Sequence, residues 1–136
     1  MLAVTVADFR LFLHVVAASV WVGGQLTLAG LVPALRKAGA DIPKAAANAF
    51  AKVAWPAFGV LVATGIWNIE AARDEVNHSS DYRNTLIAKL VLVALSGVAA
   101  FAHARVKSRV GLAIWGAGTG IFALAAMFYG IVLAHS

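Results

Sequence analysis

The sequence predicts an all-α integral membrane protein, an up-down four-helix bundle with both termini outside. Of its 136 residues, 62% are hydrophobic and only 12% are charged, whereas a soluble domain carries about 25% charged residues. The mean hydropathy is +0.85. A spanning helix needs roughly 20 mainly apolar residues. Four segments of a single domain, 1–136, meet this requirement: about 7–35, about 44–71, about 84–105 and about 110–135.

The first two helices follow from their apolar runs and start signals. The first run lacks the basic start of a signal peptide and continues past the usual length of one, so we interpret it as a spanning helix. For the second helix, Asp41 is suited to the N-cap and Pro43 to the first turn. Pro56 lies inside this helix and is expected to kink it.

The third and fourth helices carry polar and small residues at helical spacing. Lys89, Ser96 and His103 are seven residues apart, so they share one face. That face should look into the bundle, because polar groups facing lipid are penalised. Gly116 and Gly120 have GxxxG spacing, which permits close helix packing or a homodimer face. The short connections predict that neighbouring helices are antiparallel.

The basic residues of the short loops predict the orientation. The acidic segment 70–83 is expected outside, and the two basic loops in the cytoplasm. The expected location is the plasma (inner) membrane, as a multi-pass protein with the lipid bilayer as partner. We therefore assign the net charge of +5 to orientation and expect no nucleic-acid partner. The basic residues concerned are Arg36, Lys37, Lys44 and Lys52 in the first loop region, and Arg105, Lys107 and Arg109 in the third.

His14 is the principal candidate site residue. It lies in the run FLHVVAASVWVGG, and no other ionisable residue occurs between Arg10 and Leu35. A residue rise of about 1.5 Å places it roughly 10 Å below the outer edge of the helix. An ionisable group at that depth is costly and marks a functional site by default. Ala18 and Trp21 lie on the same helix face, where the small residues leave room for a flat ligand or another helix.

Further candidates lie on the other three helices. Asn68 continues a polar stripe with Thr64 and Gly65 at the outer end of the second helix. Lys89 enters from the outer side to a depth of roughly 7 Å, and Met127 lies roughly 12 Å below the outer end of the fourth helix. The alternatives are a snorkelling cation for Lys89 and apolar filler for Met127. His103 lies near the cytoplasmic end of its helix.

Two segments resemble known membrane families. LHVVAASVWVGG resembles the LH…A…W-x-GG segment of the copper-resistance D (CopD) membrane domain, and HemJ-type protoporphyrinogen oxidases have a similar first-helix pattern. TLIAKLVLVAL resembles both families, with the lysine at Lys89. The resemblance covers the first three helices. It implies that His14 is a haem axial ligand or a metal ligand, and that Lys89 binds a propionate or transfers protons.

The resulting expectation is a haem b-binding protein with a redox or electron-transfer role. A neutral imidazole binds iron, and a dry four-helix interior accepts a planar macrocycle. His14 and His103 differ in depth by roughly 18 Å, so they cannot both ligate one haem. The cofactor site is expected to include His14, Trp21, Ala18, Met127 and Asn68. In a membrane oxidoreductase, Lys89 would be the catalytic residue, and a redox protein or a quinone would be the partner.

Two alternatives remain open. The first is a copper-binding or copper-transport protein of CopD type, with His14, His103 and Met127 as metal ligands. The second is a structural membrane subunit without cofactor, in which His14 and Lys89 bridge helices. The sequence contains no cysteine, which excludes disulfides, thiolate metal sites and iron–sulfur clusters. It also shows no phosphate-binding loop, no nucleophile–base pair and no zinc motif.

Overall fold

The structure, a computed structural model, describes residues 1–136 and consists of helices joined by short connections. This confirms the all-helical class. It also confirms the number of helices that are long and apolar enough to cross a membrane. The four candidate spans are Val6–Ala38, Ile42–Ala71, Ser80–Arg105 and Arg109–Ala134.

The first span has three parts. Helix α1 comprises Val6–Ala18, a π-helical segment follows at Ser19–Gly23, and helix α2 comprises Gly24–Ala38. A capping box starts α1, in which the Thr5 hydroxyl accepts from the backbone N–H of Asp8 and the Asp8 carboxylate accepts from that of Thr5. A π-helix has a wider turn than an α-helix. Residues seven apart therefore do not share a face across this segment.

The second span is helix α3, Ile42–Ala71, and it is followed by a short helix. Asp41 is at the N-cap and Pro43 in the first turn, as predicted, although the Asp41 side chain makes no capping hydrogen bond. The helix continues through Pro56. Helix α4, Arg73–His78, lies in the acidic segment between the second and third spans.

The third and fourth spans are helices α5, Ser80–Arg105, and α6, Arg109–Ala134. The third begins four residues earlier than the predicted start at about 84. Its N-cap is Ser79, whose side chain accepts a hydrogen bond from the backbone N–H of Tyr82. A polar N-cap of this kind satisfies a backbone donor at a helix start. Ser108 caps α6 in the same way.

The chain forms two compact units, Met1–Ala72 and Arg73–Ser136, here called the N-terminal and C-terminal hairpins. In the N-terminal hairpin, Arg10 pairs with Asn68, whereas Gly24, further along the chain, faces Phe50. As residue numbers rise along the first span, the numbers of their contacts on the second span fall, so the two spans are antiparallel. In the C-terminal hairpin, α5 and α6 are antiparallel by the same criterion. The predicted antiparallel neighbours are thus confirmed within each hairpin.

Three aromatic rings pack between the first two spans in the N-terminal hairpin. Trp21, in the π-helical segment, is 3% exposed. Its ring centroid lies 5.5 Å from that of Trp55 and 4.5 Å from that of Phe58, both on α3. We call these three residues the aromatic cluster. It joins the π-helical segment to α3.

Small residues form the interface of the C-terminal hairpin. Ser96 is 1% exposed, and its hydroxyl donates to the backbone carbonyl of Thr119 across a distance of 3.0 Å. Ala99, Ala123 and Ala126 are also buried. Such residues let two helix backbones approach closely. Large apolar side chains are exposed along all four spans, Phe12, Ile66, Val98 and Phe128 among them, and this pattern suits a lipid environment.

Candidate functional site

A side-chain hydrogen bond joins His14 to α3. Its Nδ1 lies 2.8 Å from the hydroxyl oxygen of Thr64, and the imidazole is half-buried. Gly65 is beside Thr64, and a Cβ added there would lie 3.6 Å from Cε1 of the imidazole. The predicted stripe of Thr64 and Gly65 on the second span therefore does face His14.

The hydroxyl of Thr64 determines which nitrogen of His14 carries the proton. The hydroxyl oxygen lies 2.7 Å from the backbone carbonyl oxygen of Val60. Two oxygens this close require a hydrogen between them, so the hydroxyl donates to the carbonyl. Its oxygen must then accept from Nδ1–H of His14. In the neutral imidazole this leaves the lone pair on Nε2, the nitrogen that ligates a metal when Nδ1 is held in this way.

A second contact lies one turn closer to the N-terminus of α1. Nε of Arg10 donates to Oδ1 of Asn68 across 2.7 Å, and the guanidinium carbon is 5.8 Å from the ring centroid of Trp67. Arg10 and His14 are four residues apart, as are Asn68 and Thr64, so both pairs occupy one face. Asn68 is thus adjacent to the candidate site, where it positions Arg10. Sequence reasoning gave Arg10 no role, although its four-residue spacing from His14 was a usable signal.

The other predicted residues of the N-terminal hairpin are on the following turns. Ala18 ends α1 and is half-buried. Trp21 belongs to the aromatic cluster, where its ring packs against α3. It is therefore a firmly packed side chain.

The C-terminal hairpin contains the remaining predicted residues. Lys89 is half-buried, and its Nζ would lie 3.1 Å from a Cβ added at Gly130. His103 is half-buried, with Nδ1 2.9 Å from the backbone carbonyl oxygen of Leu112, so Nδ1 carries the proton there too. Lys89, Ser96 and His103 all face α6 within the C-terminal hairpin. Met127 is 38% exposed.

The glycines of α6 accommodate the ionisable side chains of α5. A Cβ added at Gly116 would lie 3.1 Å from Cε1 of His103, as one at Gly130 would lie close to Lys89. Gly120, in contrast, has nothing within 4 Å of an added Cβ. The GxxxG spacing therefore includes one glycine that packs within the hairpin, Gly116, and one that faces open space.

No family model, curated protein or solved structure matches this chain. The similarity to the CopD and HemJ families therefore stays a prediction from the two segments quoted above.

The protein side chains do not form a metal site with several ligands. No group of three or more His, Cys, Asp or Glu side chains could hold a metal ion. His14 instead offers one imidazole with a defined tautomer. Such a ligand fits a metal that brings most of its other ligands with it, as iron does in a porphyrin.

Proposed function

We propose that this chain is a haem b-binding integral membrane protein with a redox or electron-transfer role, and that His14 is an axial ligand. The observation that carries the proposal is the hydrogen bond from His14 to Thr64. It orients the imidazole and keeps the lone pair on Nε2. Ligating histidines characteristically donate their other N–H to a fixed acceptor, which sets the tautomer and raises the basicity of the ligand.

The residues around His14 are suited to a bound haem. When bound, the haem supplies one-electron chemistry at its iron, while the chain binds and orients it. Gly65 lies against the imidazole, since a Cβ added there would be 3.6 Å from Cε1 of His14. We include Ala18, Trp21 and Asn68 of the N-terminal hairpin among the cofactor-binding residues, as the sequence predicts.

Lys89 is the second functional residue in this proposal. It is the only ionisable residue between Arg83 and His103, and an amine in a spanning helix is costly unless it serves a function. We propose that it binds a carboxylate of the cofactor or transfers a proton. Its position beside Gly130 supports this, because the missing side chain leaves room for the ammonium group.

A spectrum of the purified protein tests the haem assignment. We expect a Soret band that shifts when the protein is reduced with dithionite, in stoichiometric amount after reconstitution with haem b. A colourless preparation that contains stoichiometric copper would replace haem with copper. If the reconstituted protein contains neither haem nor copper, the remaining interpretation is a structural membrane subunit without cofactor.

Replacing Thr64 with valine should weaken haem binding without removing His14. Valine has nearly the same shape but cannot accept from Nδ1–H, so the tautomer and the ring orientation are no longer fixed. We expect a loss of about 10- to 100-fold in haem affinity, measured by titration of the Soret band. Thr27→Val is the matched control, because that hydroxyl donates to a carbonyl of its own span, that of Gly23, and not to a residue of α3. Equal affinities for T64V and T27V would show that Thr64 does not support the ligand.

We further propose that both termini lie outside the plasma membrane. The chain has no cysteine, so single cysteines can report on each side. Asn77→Cys and Lys107→Cys place them at exposed positions of the acidic segment and of the third connection. In intact cells, a membrane-impermeant maleimide should label position 77, and position 107 only after permeabilisation. The opposite result would reverse the orientation.

A further inference from the structure

Arg10 is held at one edge and has an unused edge. Its Nε donates to Asn68, and its guanidinium lies against the ring of Trp67. A guanidinium has five N–H donors arranged in a rigid fork, and the bond to Asn68 uses the one on Nε. The four donors on the two terminal nitrogens are not used by that bond. They form an edge that matches the two oxygens of a carboxylate.

The charge of Arg10 is not neutralised by Asp8, the nearest acidic residue in the sequence. The carboxylate of Asp8 accepts from the backbone N–H and the hydroxyl of Thr5, which belong to the capping box. Arg10 is itself half-buried in the N-terminal hairpin. Its two contacts are with a neutral amide and with an aromatic ring, so both orient the guanidinium and neither neutralises it.

The unused edge of Arg10 lies one helical turn from His14. Four residues correspond to about 6 Å along a helix axis, and side chains at this spacing lie on the same face. The two contacts to α3 repeat this spacing, with Asn68 opposite Arg10 and Thr64 opposite His14. This face of α1 therefore presents an imidazole lone pair and, on its outer side, a fixed cationic fork.

We propose that Arg10 binds a carboxylate of the ligand held at His14, which for haem b is a propionate. The inference rests on the proposed function, since it takes the ligand of His14 to be haem. It adds a site residue that the family resemblance does not include. The same fork could bind a lipid headgroup phosphate, because both groups offer paired oxygens, so the experiment must separate the two sources.

Haem b and its dimethyl ester, in which both propionates are esterified, test the proposal. Each is titrated into the apoprotein in a non-ionic detergent without added lipid, and binding is followed by the Soret band. The wild-type protein should bind haem b about 10- to 100-fold more tightly than the ester, the range for one charge-assisted pair. Arg10→Gln should lose most of that preference and keep the wild-type affinity for the ester. Arg36→Gln, an exposed cation at the end of α2, should behave as wild type.

Arg10→Lys keeps the positive charge but lacks the forked donors of the guanidinium. It keeps the proposal testable if the glutamine variant does not fold. We expect it to lose most of the preference for haem b, because an ammonium group cannot present two parallel donors. Circular dichroism of each apoprotein verifies that the helices are retained.

The outcomes separate this inference from the proposed function. Equal affinity of the wild-type protein for haem b and its ester would overturn the role of Arg10 and leave the haem site intact. So would a preference for haem b that is as large in R10Q as in the wild-type protein, or an equal weakening of both ligands in that variant. The titrations are then repeated with added phospholipid, and a preference for haem b that disappears in its presence would assign the fork to a headgroup phosphate. If neither ligand binds, both proposals fail.

Discussion

Replacing His14 with alanine should abolish the Soret band of the reconstituted protein and leave its helix content unchanged. The imidazole is the axial ligand in our proposal, and the alanine side chain cannot bind iron. His14 is only half-buried, and its hydrogen bond to Thr64 joins two helices that also pack through the aromatic cluster, so its loss should not unfold the N-terminal hairpin. Absorption spectroscopy measures the haem, and circular dichroism measures the helices.

His78→Ala is the matched control for this prediction. His78 is exposed in α4, and its Nδ1 bonds to a carbonyl of its own helix, that of Asp74. We expect this variant to keep full haem occupancy. Added imidazole should restore part of the Soret band in H14A, because a free ligand can occupy the space left by the ring. Full haem occupancy in H14A without added imidazole would disprove the axial role of His14.

Replacing Trp21 with alanine should cause the largest loss of stability in the N-terminal hairpin. Its ring is almost fully buried in the aromatic cluster, and truncation leaves a cavity between the π-helical segment and α3. Truncation of a buried tryptophan costs about 3–5 kcal/mol of unfolding free energy. Denaturant unfolding of the protein in detergent micelles measures this quantity.

The control for this variant is Trp115→Ala. Trp115 is 40% exposed in α6, so its truncation creates little cavity and should change the unfolding free energy by much less. A similar loss in both variants would mean that the aromatic cluster has no special structural role. Trp21→Phe should fall between wild type and W21A, because a smaller ring still fills part of the space.

The four spans could be predicted because each depends on local composition. Roughly 20 apolar residues in a row identify a spanning helix without knowledge of its neighbours, and Pro43 marks a helix start on the same local basis. The π-helical segment at Ser19–Gly23 could not be predicted in this way, because its residues are ordinary for an α-helix. Its wider turn is accompanied by the packing of Trp21 on α3, which is tertiary information. Helix α4 was missed because its six residues are too few and too polar for a periodic signal.

The candidate site was predicted in part for a related reason. His14 stands out in an apolar run, and the stripe of Thr64, Gly65 and Asn68 follows from helical spacing. Which residue of α3 faces which residue of α1 depends on the register of the two helices, and no local pattern specifies it. The pairing of Arg10 with Asn68 therefore emerged only from the structure. Arginines are common near membrane interfaces, so the sequence alone does not identify Arg10 as a site residue.

The glycines opposite the ionisable side chains have a consequence for how this chain can evolve. His103 and Gly116 share one space in the C-terminal hairpin, as do Lys89 and Gly130. A larger residue at either glycine competes with the imidazole or the ammonium group for that space. Loss of the ionisable group would in turn release the opposite glycine from its constraint. Each ionisable residue and its glycine thus form one unit of covariation, in which a change at one position alters which residues are acceptable at the other.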